Sequence, residues 1–378
     1  QAGVATGLAA ALSGPGPYTL FAPKDAAFDA LAAQLAMTPA QLLADVALLT
    51  REDVGAEGKA AFLTALASRG ERPEEIAAFA SALREMAVKP VVSDRVRRVG
   101  LLDIVGTGGD RLNTFNISST AALVVSAAGV PVAKHGNRAV TSKSGSADVL
   151  EALGIRIELE PAEVGEWLER YGFAFLFAPR FHPAFKHIAP ARRLCAEAGQ
   201  RTLFNFLGPL LNPVRPSAQL MGVSSPALCE SLARVLQSLG VRRGMVVCGS
   251  VPVEAGGPEP TGAAVDELST LGSTQVAEFY QERGFSVSSL EPGLFPLQRA
   301  CLADLRGGDR EFNAELTRRI LTGQERGPCR DSVLLNAGAA LFVAGAAESI
   351  SGGWEKAMET IDSGASAAHL EVLVEASR

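Results

Sequence analysis

Three short strings combine glycine, hydroxyl, amide and cationic side chains in patterns suited to holding an anion. The first is Asp103-Ile104-Val105-Gly106-Thr107-Gly108-Gly109-Asp110. Glycines directly after a strand let backbone N–H groups approach an anion with no Cβ in the way, and a following helix N-terminus adds positive potential. It is neither a Walker A motif, lacking Gly-Lys-Ser/Thr, nor the dinucleotide fingerprint, whose glycine spacing differs. A tight turn in an α/β protein uses the same residues. The second string, Asn116-Ile117-Ser118-Ser119-Thr120, stands where a helix begins. Such side chains cap orphan N–H groups, the favoured reading when the string is taken alone, and they also suit phosphate oxygens or a cation. The third runs Lys134-His135-Gly136-Asn137-Arg138 and then Thr141-Ser142-Lys143-Ser144-Gly145-Ser146-Ala147-Asp148. It follows a predicted strand, where α/β proteins place ligands. A solvated loop seldom needs so many cations, amides and hydroxyls together.

Three further features add to these. Phe173, Phe175 and Phe177 alternate at period two, which directs them to the core. They lead to Phe181-His182-Pro183-Ala184-Phe185-Lys186, where His182 fits a structural or a ligand-facing role equally. Arg201 begins an otherwise apolar run, Thr202-Leu203-Phe204-Asn205-Phe206-Leu207-Gly208-Pro209-Leu210-Leu211-Asn212-Pro213. A buried arginine must be paired, with a protein carboxylate or with a ligand carboxylate that its planar fork matches. Asp266-Glu267 follows a Gly/Pro-rich stretch at 250–264. Adjacent carboxylates need solvent or a cation, and beside phosphates they suit Mg²⁺, which prefers oxygen ligands.

The elements that must carry these residues fall into two groups. Helical periodicity is predicted over 39–48, 57–69 and 73–88. Phe62, Leu63, Leu66, Ile76, Phe79, Ala80 and Leu83 form a buried stripe, and Pro73-Glu74-Glu75 marks a helix start. Beyond Arg98, strands alternate with helices. Strands are expected at 101–105, 130–134, 156–159, 173–177, 220–223, 245–248 and 285–288, and helices from Ser118 and over 147–153, 162–170 and 226–239. That alternation implies a mainly parallel central sheet covered by helices. The expected division is an atypical segment 1–38, a helical domain 39–99 to which part of 188–216 returns, and an α/β domain formed by 100–187 with 217–378.

With 47% hydrophobic and 20% charged residues in 378, disorder and disulfide mini-proteins are excluded. The net charge of −6 opposes a fold-wide nucleic-acid footprint. Five cysteines at least 19 residues apart read as thiols in a reducing, cytoplasmic setting. No apolar run reaches the length of about 18 residues that a membrane span needs, and the residues after Gln1 do not suggest a signal peptide.

Taken in order, Gly106–Asp110, Lys134–Arg138, Ser144–Leu153, His182-Pro183-Ala184 and Arg201–Pro213 resemble the anthranilate phosphoribosyltransferases. These belong to the family shared with pyrimidine nucleoside phosphorylases. The resemblance covers roughly residues 50–376. It implies a small helical domain plus a larger α/β domain with the site at the hinge. The implied reaction moves phosphoribosyl from 5-phosphoribosyl-1-pyrophosphate to anthranilate in tryptophan biosynthesis. By resemblance, Gly106, Thr107, Gly108, Gly109, Asp110, Asn116, Ser118, Ser119, Thr120, Lys134 and Ser146 hold the donor. Lys134 and Asn116 position the transition state, and no further catalytic group is implied. Ser118, Asp266 and Glu267 hold Mg²⁺, while His135, Asn137, His182 and Arg201 line the anthranilate path. A homodimer through the helical domain is also implied. The alternatives are a pyrimidine nucleoside phosphorylase and a non-catalytic nucleic-acid-binding relative. Separately, Tyr18-Thr19-Leu20-Phe21-Ala22-Pro23-Lys24-Asp25-Ala26-Ala27-Phe28 resembles a fasciclin module signature, read as a remnant or fusion scar.

Overall fold

The computed structural model describes residues 39–139, 143–252, 263–281 and 283–378. The fasciclin-like string, Thr141, Ser142 and most of the 250–264 stretch lie outside the described residues. Among the described residues the chain divides into two compact units, 39–88 with His182–Leu211, and Lys89–Phe181 with Asn212–Arg378.

The first unit contains α1 (Pro39–Thr50), α2 (Ala56–Arg69) and α3 (Pro73–Glu85). The chain enters the second unit with α4 (Asp94–Val99), β1 (Leu102–Gly106), α5 (Ile117–Ala127), β2 (Val132–Gly136), α6 (Ser146–Ala152), α7 (Glu163–Tyr171), β3 (Phe173–Phe177) and α8 (Ala178–Phe181). It returns to the first unit for α9 (Ala189–Glu197) and α10 (Phe204–Leu207). The second unit is completed by β4 (Ala218–Gly222), α11 (Ala227–Ser238), β5 (Arg243–Val251), β6 (Ala263–Val265), β7 (Thr274–Tyr280) and β8 (Gly284–Leu290). Four helices follow, α12 (Arg310–Leu321), α13 (Pro328–Val343), α14 (Ile350–Asp362) and α15 (Ala365–Ala376).

The predicted stripe of the helical unit is buried at every position, from Phe62 to Leu83. The start of α3 is built as its residues dictate. Pro73 occupies the first turn, and the Glu75 carboxylate accepts the Arg72 N–H at 3.1 Å while pairing with Arg69. The expected boundaries shift in two places. Residues 89–99, expected in the helical domain, belong to the α/β unit, where the Ser93 side chain caps α4. Part of 188–216 does return, over 188–211, but the returning segment begins earlier, at His182.

The α/β unit is organised on one sheet of order β3-β2-β1-β4-β5-β7-β8, with β6 pairing β5 outside that path. The strands from β3 to β5 run parallel, and β6, β7 and β8 add antiparallel pairs. All five residues of β3 are buried, so both its faces are covered and not only the one carrying Phe173, Phe175 and Phe177. The expected strand at 156–159 is absent. Ile155, Ile157 and Leu159 are buried in alternation, so the period is real. Only the isolated bridge Glu158↔Leu176 forms, because Arg156 N–H bonds the Ser377 hydroxyl instead of a ladder partner. β7 lies outside the expected strands and pairs with β5 over seven positions. Among the described residues no helix is long and apolar enough to cross a membrane.

Candidate active site

The direction of the strand order reverses between β1 and β4: β2 and β3 lie on one side, β5 on the other. In open α/β sheets the crevice beyond the carboxyl ends at such a reversal binds ligands. Gly106 and Gly222 are register partners at that edge. The Asp266 segment lies against both of them. A Cβ on Gly222 would stand 1.6 Å from the Asp266 carbonyl oxygen, and one on Gly106 2.3 Å from its Oδ2. Glycine here is a demand of close approach.

Past Gly106 the chain turns through Gly108 (φ 67°) and Gly109 (φ 81°), followed by Arg111 (φ 63°) and Asn113 (φ 54°). Positive φ at a non-glycine such as Arg111 costs of order 1 kcal/mol or more and persists where surroundings enforce it. The enforcement is visible. Asp110 accepts the Leu112 N–H at 3.1 Å, Gly307 N–H bonds the Asn113 carbonyl, and Phe115 N–H bonds the Leu305 carbonyl. Thr107 N–H is taken by the Gly222 carbonyl at 2.9 Å, and Gly108 N–H by the Asp266 carboxylate at 2.6 Å.

Asn116 occupies the cap position of α5, yet its side chain makes no cap bond. Its amide donates to the Ser144 carbonyl at 3.2 Å, and its oxygen accepts from Asn313 at 2.9 Å. The capping function expected of this string is supplied from 149 residues away, by Glu267 accepting the Ser118 N–H at 3.1 Å. A carboxylate at a helix N-terminus is favoured there by the helix dipole. Ser118 is half-buried and Ser119 buried. Thr120, expected among the donor-binding hydroxyls, is fully buried, and its hydroxyl is spent on the Asn116 carbonyl and on Thr317.

At the end of β2 the buried Lys134 ammonium donates to the Ile104 carbonyl at 2.5 Å. Burial pushes its pKa down, and the negative charges of Asp103, Glu267 and Asp266 oppose that fall. His135, also buried, follows on the strand. The next turn is tied to the start of α6. The Ser146 hydroxyl and the Ala147 N–H both reach the Asn137 carbonyl, while Asp148 accepts the Ala139 and Gly145 N–H groups. Arg138 is held by Asp148 and Glu151 over the Phe177 ring, a framework role.

The carboxylate pair completes this edge. Asn336 of α13 grips the segment, its side chain bonding both the N–H and the carbonyl of Leu268. Burial and the neighbouring Asp110 charge push Asp266 up to about 7; burial and Asp266 itself push Glu267 up to about 8. Two carboxyls held above their ordinary range beside a helix-start hydroxyl are an all-oxygen donor set short of positive charge. That set fits Mg²⁺, which takes its remaining ligands from waters and phosphates. Among the described residues no group of three or more His, Cys, Asp or Glu side chains forms a closed cage.

In the helical unit, His182 is buried and its ring bonds the Leu211 backbone. Burial depresses its pKa to about 4, so the imidazole is neutral near pH 7. It packs edge-on to Phe185 at 5.5 Å, and Phe185 meets Phe204 at 5.7 Å. Arg201 departs from expectation: it is exposed, because only the residues after it turn into the core as α10 forms.

Sequence patterns assigned no role to Asp103, Asn212, Gly222 or Asn336, all buried at this edge or beneath it. A carboxylate inside the apolar strand Leu102–Gly106 was the available signal for Asp103.

Residues 98–367 match the model described as "Glycosyl transferase family, a/b domain", and residues 29–87 match its helical bundle domain. The chain belongs to this glycosyl transferase family. A fasciclin domain model matches residues 1–50, overlapping the start of the helical bundle match. Among curated relatives in the glycosyl transferase family, the anthranilate phosphoribosyltransferase of Thermomicrobium roseum is 48% identical over 329 residues, 86% of this chain and 89% of its own. The Thermus thermophilus protein of the same name is 48% identical over 305 residues, 81% and 85% of the two chains. A crystal structure of anthranilate phosphoribosyltransferase from Thermus thermophilus aligns with a TM-score of 0.80 at 44% identity, covering 91% of this chain and 97% of that one. The Saccharomyces cerevisiae enzyme in complex with PRPP and Mg aligns at 0.76 and 29% identity, covering 90% and 92%.

Proposed function

We propose that the chain is an anthranilate phosphoribosyltransferase that moves phosphoribosyl from 5-phosphoribosyl-1-pyrophosphate to the amine of anthranilate and releases pyrophosphate. The observation that carries this reading is the convergence of the 106–110 turn, the start of α5, the end of β2 and Asp266-Glu267 at one strand-reversal edge. Relatives of that name at 48% identity support the choice of acceptor.

The donor's phosphates are assigned to Gly106–Asp110, Ser118, Ser119 and Ser146, with Asn116 and Lys134 positioning the reacting end. Thr120 supports the start of α5 from within. Ser118, Asp266 and Glu267 would hold Mg²⁺, which when bound would supply positive charge to stabilise departing pyrophosphate. The C1–O bond to pyrophosphate breaks as a C1–N bond to the amine forms, and the amine gives up a proton. An aromatic amine is nucleophilic without a strong base, so the protein's work is orientation and charge stabilisation. His135, Asn137, His182 and Arg201 are assigned to the acceptor, with Arg201 for its carboxylate. His182, neutral at working pH, serves as a hydrogen-bonding and packing group.

The same reading includes a homodimer through the helical unit and a cytoplasmic location, where five free cysteines are expected. Purified protein with anthranilate, donor and Mg²⁺ is expected to consume anthranilate fluorescence. No loss, while a known enzyme under the same conditions is active, would overturn it.

A further inference from the structure

The ladder between β1 and β2 stops early. These strands share one register pair, Leu102↔Val132, whereas β1 with β4 and β2 with β3 each match over five positions. Leu102 N–H bonds Pro131 on the β2 side, and Val132 N–H bonds Gly172 on the β3 side. Because neighbouring residues along a strand direct their polar groups to opposite sides, Ile104 of β1 and Ala133 and His135 of β2 face one another. They are the next groups a parallel ladder would join.

Side chains take the place of the ladder at these groups. The Ala133 carbonyl accepts the Asn212 amide at 2.8 Å, and the Ile104 carbonyl accepts the Lys134 ammonium. His135 N–H donates to the Asp103 carboxylate at 3.3 Å, and the Ile104 N–H lies beside the same carboxylate. Asn212 closes the set, donating also to Asp103 at 2.9 Å and accepting the Val214 N–H at 3.1 Å. Asp103 and Asn212 are wholly buried and Lys134 is 2% exposed. A plain ladder would satisfy the same backbone groups without sinking a carboxylate, an ammonium and an amide into the domain, which is costly.

We propose that Asp103 and Asn212 are positioning residues that, with Lys134, form a polar wedge. The wedge keeps the carboxyl ends of β1 and β2 apart, so that the turns after Gly106 and Gly136 flank the donor crevice. The proposal rests on the donor assignment made above. It also gives Lys134 a second duty: its ammonium is fixed at the mouth of the wedge by the Ile104 carbonyl.

The test compares wild type, Asp103→Asn, Asn212→Ala and the exchanged pair D103N/N212D, each checked for native circular dichroism. Donor affinity is measured by calorimetry with Mg²⁺ and no acceptor, and KM for both substrates by fluorescence. Each single variant is expected to weaken donor binding about tenfold or more while changing the anthranilate KM less than about twofold. The near-isosteric Asp103→Asn keeps the test usable if Asn212→Ala does not fold. The exchanged pair restores the bond between positions 103 and 212 but leaves the Ala133 carbonyl without its donor, so it is expected to recover part of the lost donor affinity, giving a clear coupling in the double-mutant cycle. Additive losses, equal effects on both substrates, or unchanged donor affinity in folded single variants would overturn the wedge. Wild-type protein that binds no donor would overturn the transferase reading, and the wedge's purpose with it.

Discussion

Replacing Gly222 by alanine tests the packing of the site more severely than any change to a ligand-facing side chain. The new Cβ would stand 1.6 Å from the Asp266 carbonyl oxygen and 2.4 Å from its carbonyl carbon, where ordinary contact begins at 3.4 Å. The obstacle is backbone, so no rotamer relieves it. Asp266 and Glu267 must retreat by roughly 2 Å, and a 1 Å misplacement at a reacting centre can cost about 100-fold. The expected loss in kcat/KM is therefore at least about 100-fold, or roughly 2.7 kcal/mol of transition-state stabilisation, with a raised requirement for Mg²⁺. Gly106→Ala presses mainly on the Asp266 carboxylate at 2.3 Å, a side chain that can turn. Its expected loss is smaller, about tenfold. Gly293→Ala, with no atom within 4 Å of the added Cβ, is the control and should be neutral. The assay is loss of anthranilate fluorescence across a Mg²⁺ titration, with folding checked by circular dichroism. A folded Gly222→Ala protein within about threefold of wild type would refute the view that this glycine seats the carboxylate pair.

Three other outcomes follow from the same geometry. Asp266 and Glu267 titrate higher in the folded protein than in the unfolded chain, so their contribution to stability is full below the ordinary carboxylate range and is lost as pH rises through about 7 and 8. Metal-free protein should therefore lose Tm between about pH 5 and pH 9, and Mg²⁺ should raise Tm more at the alkaline end; equal gains throughout would contradict this. Arg201→Ala should raise the anthranilate KM about tenfold or more, the worth of a charged hydrogen bond, and leave the donor KM nearly unchanged; equal shifts in both would make the arginine structural. His182 titrates lower when folded, so its contribution is full above the unfolded value near 6.5 and is lost as pH falls through about 4. Urea titrations should show a steeper acid-side loss in wild type than in His182→Gln, and matching slopes would refute the burial account.

Much of this protein is legible in the order of its residues, because local periods and turn chemistry depend on neighbours a few positions apart. The stripe from Phe62 to Leu83, the Pro73 helix start, strand Phe173–Phe177 and the 106–109 glycine turn are features of that kind. Family membership was legible too, since the glycine, hydroxyl and cation strings recur in order. Other features depended on partners distant in sequence. Ile155, Ile157 and Leu159 alternate like a strand but found no ladder. Asn116 makes no cap bond because its side chain bonds Ser144 and Asn313 while Glu267 accepts the Ser118 N–H, and Arg201 stays outside a core that its neighbours enter. Sheet order brings Asp266 onto Gly106 and Gly222, and side chains replace the ladder between β1 and β2. A buried polar group must be satisfied by whatever the fold places beside it, and that partner is set by long-range packing, on which local spacing carries no information.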